Sequence, residues 1–157
     1  MNNIETDCCP KFDKTPWDEK EIQWENKLFI KDRVKSFMHM PLNFGSVIKS
    51  CMKKIEKSSA NNPDYLMLSD ENSLWGSDLF IAVNKKIDSA NNVTISGNFI
   101  SKVFEGPFQN AGKWAKEMEF YVNTKEGKTK KIYFWYTTCP KCAKVYGKNY
   151  VVLFAQV

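Results

Sequence analysis

Four consecutive aromatic residues, Tyr133-Phe134-Trp135-Tyr136, are the densest chemical feature of the chain. In an extended strand their side chains alternate, so Tyr133 and Trp135 point one way and Phe134 and Tyr136 the other. One pair belongs to a core and the other is free to line a ligand cleft; alternation alone does not say which. Trp and Tyr ring faces attract organic cations by about 0.5 to 2 kcal/mol each, depending on desolvation. The acids nearest this aromatic set in a folded chain are Glu105, just before Gly106-Pro107, and Glu117 and Glu119 on an expected helix. Glu117 follows Trp114 by three residues and precedes Tyr121 by four, so it borders an aromatic helical stripe. Either Glu105 or Glu117 is placed to offset a bound cation or to act as general acid or base, with the Tyr136 hydroxyl assisting. His39 is the single histidine, and one histidine makes neither a triad nor a metal site.

The cysteines pose a second chemistry. Cys139-Pro140-Lys141-Cys142 has a zinc-knuckle spacing, and Cys8-Cys9 supplies two further thiolates for a tetrahedral structural zinc. Cys51 is left over. The competing readings are a redox dithiol and plain reduced thiols. No Ser nucleophile elbow, Gly-rich phosphate loop or His-Glu zinc signature is present. No cofactor is required by any motif.

The elements that must position these groups read as a unit written twice. His39-Met40-Pro41-Leu42 leads into an amphipathic helix over Phe44–Lys57, and Glu105-Gly106-Pro107-Phe108 leads into another from about Gln109 to Asn123. Aligning Pro41 with Pro107 pairs His39 with Glu105, Ile48 with Trp114, Met52 with Met118 and Ile55 with Tyr121. Those positions form an i, i+4, i+7 stripe in both copies, which suits a helix lying on a sheet. Strands are expected at Phe29–Met40, at Tyr65–Leu68, at Leu79–Val83, over 93–104, over 132–138 and over 150–157. Ser69-Asp70-Glu71-Asn72 reads as a turn. Residues 1–28 read as an irregular arm packed on the domain. Repeat one spans about 29–90 and repeat two about 91–157, with a cleft for ligand at the seam between them. The expected fold is α+β: a tandem βαββ repeat with pseudo-twofold symmetry, an antiparallel or mixed sheet and both helices on one face.

Composition bounds the rest. A chain of 157 residues is long enough for a real core. It has no apolar run near the roughly 18 residues a membrane span needs. The N-terminal stretch lacks a basic start and apolar core, so a cytoplasmic location is expected. Net charge is +5, with four lysines in the loop Lys125–Lys131 and no basic helical stripe, which argues against a nucleic-acid partner.

The run Gly97-Asn98-Phe99, then Phe104-Glu105-Gly106-Pro107-Phe108, then Ala111-Gly112-Lys113-Trp114, followed by a Tyr-rich strand and a terminal apolar strand, resembles the GyrI-like small-molecule-binding domain. The resemblance covers about 29–157. It implies two βαββ repeats and a site for flat, often cationic, aromatic compounds. The N-terminal arm and the Cys139–Cys142 insertion look like a stand-alone bacterial branch without a DNA-binding helix-turn-helix. Some stand-alone members resemble hydrolases that open cyclopropane-bearing natural products with an acidic residue and aromatic hydroxyls. Sensors of the family often carry a carboxylate near the start of the last strand; here Tyr150-Val151-Val152-Leu153-Phe154-Ala155-Gln156 has no acid.

Three functions are open from the sequence, the first two favoured. One is a binder of aromatic, drug-like molecules, monomeric or weakly dimeric, using Trp114, Tyr121, Tyr133, Trp135, Tyr136 and His39. The other is a hydrolase of reactive xenobiotics using Glu105 or Glu117 with Tyr136. A zinc-pinned module using Cys8, Cys9, Cys139 and Cys142 is a third.

Overall fold

The computed structural model of the chain describes residues 12–37, 40–41, 43–73, 75–125, 127–137 and 149–157. It is an α+β protein with two α-helices among the described residues. The chain divides into two compact units, Trp24–Ser96, and Gly97–Val157 together with the segment before Trp24. Strand pairings within each unit are antiparallel.

In the Trp24–Ser96 unit, strand β1 (Lys20–Phe37), the short β2 (Met40–Pro41), helix α1 (Phe44–Lys57), strand β3 (Met67–Ser73) and strand β4 (Gly76–Ala82) follow in that order. β4 lies between β1 and β3. It pairs Phe29 with Ala82 through Lys35 with Gly76 on one side, and Met67 with Ile81 through Ser73 with Gly76 on the other. α1 buries Val47, Cys51 and Ile55, spaced four apart, against Ile30, Val34, Leu79 and Ile81. Ile48 and Met52 flank that stripe and are only partly buried, so its centre sits one residue earlier than the apolar spacing predicted. Lys54 and Lys57 in the last turn oppose the negative end of the helix dipole.

Two expectations are corrected here. Ser69-Asp70-Glu71-Asn72 is not a turn but most of β3, because the Ser69↔Leu79 and Asp70↔Asp78 pairings satisfy its backbone and the reversal falls after Ser73. The stretch 20–28 is not irregular: β1 begins at Lys20. Asn26, at φ 50°, kinks the strand without ending it, and its N–H donates to the Ser96 hydroxyl at 2.8 Å.

In the Gly97–Val157 unit, strand β5 (Asn91–Glu105, its later part), helix α2 (Ala111–Thr124), strand β6 (Lys131–Tyr136) and strand β7 (Tyr150–Gln156) follow in that order. β7 is central, pairing with β5 from Phe99↔Gln156 to Glu105↔Tyr150 and with β6 from Lys131↔Gln156 to Tyr136↔Val151. Strands covered on both faces read as continuous apolar runs, and Val151 through Ala155 are fully buried. α2 seats Trp114, Met118 and Val122 against Ile100, Phe104, Phe134, Val151, Leu153 and Ala155. The segment before β1 docks on this unit. The Ser101 hydroxyl donates to the Trp17 carbonyl at 2.6 Å, and the Val103 N–H donates to the Asp18 carboxylate at 3.1 Å. Gly106, between β5 and α2, has φ 145°, a conformation that L side chains rarely adopt.

Candidate functional site

Period-two alternation sorts each sheet into two faces. In the Gly97–Val157 unit, Phe134 and Tyr136 join the α2 side, where their rings stack at 6.2 Å. Trp114 stacks on Phe104 at 5.8 Å, also on that side. Tyr121 is partly buried there, with the Lys102 ammonium 4.8 Å from its ring centre and Lys125 at 5.6 Å. Tyr133 and Trp135 take the other side. Tyr133 lies 6.3 Å from Phe99 and has Lys131 at 5.4 Å from its ring. Trp135 is 4% exposed, closed in by Trp17 at 5.1 Å, Phe12 at 5.5 Å and Phe154 at 6.3 Å. The sheet thus separates Tyr133 and Trp135 from Trp114, Tyr121 and Tyr136, so these five residues do not share one lining.

The acids singled out from the sequence are solvated. Glu105 is exposed at the end of β5, opposite Tyr150. The Glu117 side chain is 49% exposed and sits 4.0 Å from Lys113, one turn away, a contact worth little in water. Glu119 is exposed as well. His39 and the four cysteines Cys8, Cys9, Cys139 and Cys142 lie outside the described residues. Among the described residues no three His, Cys, Asp or Glu side chains gather as a metal site requires. Cys51 is buried, its thiol 3.6 Å from the Asp32 carboxylate. Burial, and then the Asp32 charge, push that thiol up to about 11, which makes it a poor nucleophile.

A different constellation appears in the Trp24–Ser96 unit, on the sheet face away from α1. Since Ile30 and Val34 of β1 and Leu79 and Ile81 of β4 point at α1, the alternating partners Phe29, Lys31, Arg33, Asp78 and Phe80 point away from it. Register then sets neighbours: Lys31 opposite Phe80, Arg33 opposite Asp78, Asp70 opposite Asp78 and Leu68 opposite Phe80. The kink at Asn26 shifts the alternation, and Trp24 comes to 5.9 Å from Phe29. Phe29 meets Phe80 edge-on at 6.3 Å.

Charge is laid over these rings. The Lys31 ammonium sits 5.7 Å from the Phe80 ring centre and 3.8 Å from the Asp78 carboxylate. Arg33 Nη1 donates to Asp78 Oδ1 at 3.1 Å. Gly76 leaves room for that guanidinium: a Cβ there would meet Arg33 Nη2 at 2.8 Å and the Val34 carbonyl oxygen at 2.9 Å. Asp70 is buried, at 6% exposure, beside Asp78. Like charges directly opposite on a sheet repel, and Lys31 and Arg33 offset that repulsion. The Lys31 and Arg33 side chains, 37% and 47% exposed, form the solvent edge of the face. Two rings, a carboxylate pair and a cation held between ring and acid are groups that attract positive charge; Phe29, Asp70 and Phe80 among them are buried, and the charged ends of Lys31, Arg33 and Asp78 reach solvent.

Sequence reading missed this group for a local reason. Taking Ser69–Asn72 as a turn removed Asp70 from any face, and starting the next strand at Leu79 cut off Asp78. The available signal was the spacing Asp78-Leu79-Phe80, an acid and a ring two residues apart on one side of a strand.

The whole chain, residues 1–157, matches the family model described as bacterial hydrolase. Similar solved structures include a hydrolase from Listeria innocua, 13% identical, with TM-score 0.59 over 88% of this chain and 91% of that one. An uncharacterized conserved protein from Listeria innocua is 12% identical, with TM-score 0.60 and the same coverage of 88% and 91%. SAV2435, solved bound to tetraphenylphosphonium, is 13% identical, with TM-score 0.52 over 89% of this chain and 93% of that one. At these identities the likeness is one of fold. No curated protein matches the chain. The chain belongs to the bacterial hydrolase family.

Proposed function

We propose that this member of the bacterial hydrolase family binds aromatic organic cations on the charged aromatic face of its Trp24–Ser96 unit, as a GyrI-like small-molecule binder. The observation that carries the reading is the Lys31 ammonium, held 5.7 Å over the Phe80 ring and 3.8 Å from Asp78. The face is already arranged to hold a positive charge between a π-surface and a carboxylate. Such a ring contact contributes about 0.5–2 kcal/mol as water is excluded, and each edge-on aromatic neighbour adds about 0.5–1.5 kcal/mol beyond its buried area. A structure of similar fold is bound to tetraphenylphosphonium, a cation surrounded by aromatic rings, which supports the same ligand class here. Apart from the two-residue β2, each unit runs strand, helix, strand, strand, which supports reading the chain as two βαββ repeats.

The test is calorimetric titration of the full chain with tetraphenylphosphonium. Saturable micromolar binding, weakened at least about fivefold in Asp78→Asn (about 1 kcal/mol at 1.4 kcal/mol per tenfold), is the expected result. Equal affinity in wild type and Asp78→Asn would remove the face from consideration.

A second reading, hydrolysis, is favoured by the family description and by the opposed carboxylates Asp70 and Asp78. One carboxylate takes a proton from water as the water oxygen attacks a ring carbon, the strained carbon–carbon bond breaks, and the proton passes to the released carbon while the neighbouring carboxylate stabilises positive charge developing at the attacked carbon. In this reading Asp70 takes the acid–base role that the sequence gave to Glu105 or Glu117, since both of those are solvated. Mass spectrometry of recovered compounds, including cyclopropane-bearing ones, separates the two: a binder returns them unchanged, and an enzyme returns a hydrated product lost in Asp70→Asn.

A further inference from the structure

We infer that Lys31 is a tethered occupant of the cation site, a built-in competitor that any incoming cation must displace. This rests on the reading of the face as a cation site. The Lys31 ammonium uses the groups an exogenous cation needs: the Phe80 ring at 5.7 Å and the Asp78 carboxylate at 3.8 Å. Arg33 holds the other Asp78 oxygen at 3.1 Å, so the carboxylate is fixed in place for one further positive charge. Phe80 is 8% exposed, so its ring offers almost no uncovered surface to a second cation while Lys31 is in place. Lys31 itself is the mobile member, because its side chain is 37% exposed and ends in a flexible four-carbon stem.

The consequence is a higher intrinsic affinity required of any ligand. A tethered group acts at an effective concentration in the millimolar range or above. A small hydrophilic cation exchanging with Lys31 makes the same contacts and gives up its own translational freedom, so it displaces the lysine only at high concentration. A cation that also carries aromatic area gains burial against Trp24, the partly exposed ring beside Phe29, and that gain is what drives exchange. Lys31 therefore sets an affinity threshold for ligands.

The experiment compares wild type, Lys31→Met and Lys31→Arg for binding of tetraphenylphosphonium and of tetramethylammonium by titration calorimetry. Lys31→Met keeps an unbranched apolar stem and removes the competing charge; Lys31→Gln replaces it if that variant does not fold. Both probes are expected to gain about tenfold in Lys31→Met, in parallel, because a common competitor has been removed, and Lys31→Arg is expected to keep wild-type affinity. Wild-type binding weakened by Asp78→Asn but unchanged or reduced by Lys31→Met overturns the role of Lys31 and leaves the site standing. Absence of binding in both wild type and Lys31→Met overturns the cation site and this inference with it.

Discussion

Replacing Trp135 by alanine distinguishes a packing residue from a ligand-lining one, the two roles open to it from sequence. In the structure its indole is 4% exposed, with Trp17 and Phe12 meeting it edge-on at 5.1 and 5.5 Å and Phe154 stacked at 6.3 Å. Truncating a buried Trp costs about 3–5 kcal/mol through lost transfer energy and the cavity left behind. Each lost aromatic pair contributes about 0.5–1.5 kcal/mol within such a loss, so the upper half of that range is expected. For a chain of this length a loss of 4 kcal/mol lowers the melting temperature by about 8–16 °C. Urea denaturation followed by far-ultraviolet circular dichroism reads the stability without depending on the removed fluorophore. Tetraphenylphosphonium titration on the milder Trp135→Leu, checked as folded, reads the function. The expected pattern is a large stability loss with cation affinity within about twofold of wild type. A stability change under about 0.5 kcal/mol, together with a tenfold loss of affinity, would refute the assignment of Trp135 to packing.

Two further expectations concern backbone and thiol. Gly106→Ala forces a β-carbon onto a residue at φ 145° and brings it within 3.3 Å of the Trp114 ring; a loss of about 1–3 kcal/mol is expected by thermal melting. Cys51 is expected to resist iodoacetamide at pH 8 in the native protein, as read by peptide mapping. Its folded thiol is raised from near 9 to about 11, so the native state holds a proton that the unfolded chain has lost between those values. Stability then falls as pH rises through that window, and Cys51→Ala is expected to show a shallower fall than wild type in matched urea titrations.

The helices were legible because apolar residues recur at helical spacing, but the stripe was read one residue off in places: Val47 and Cys51 are buried where Ile48 and Met52 were expected, and Val122 where Tyr121 was expected, while Ile55, Trp114 and Met118 are buried as read. β7 was legible as an unbroken apolar run, which reflects its central place between β5 and β6. β3 was not, because Ser69, Asp70, Glu71 and Asn72 are turn formers by local chemistry and become strand only through pairing with β4. The alternation of Tyr133 to Tyr136 was readable, but what covers each face was not. Trp135 is closed in by Phe12 and Trp17, more than a hundred positions away in the chain, and no local pattern encodes that contact. The charged face was hidden for the same kind of reason: Lys31, Asp70, Asp78 and Phe80 come together through register across three strands.

The central claim is that aromatic cations bind on the Phe29, Lys31, Asp78 and Phe80 face of the Trp24–Ser96 unit. Its most direct test is chemical-shift mapping on isotope-labelled protein titrated with tetraphenylphosphonium. Ring-current shifts concentrated on β1, β3 and β4, with Phe80 and Lys31 among the largest, are the predicted result. Shifts concentrated instead around Tyr133 and Trp135, or around Trp114 and Tyr121, would contradict the claim and return the site to the aromatic strand where the sequence first pointed.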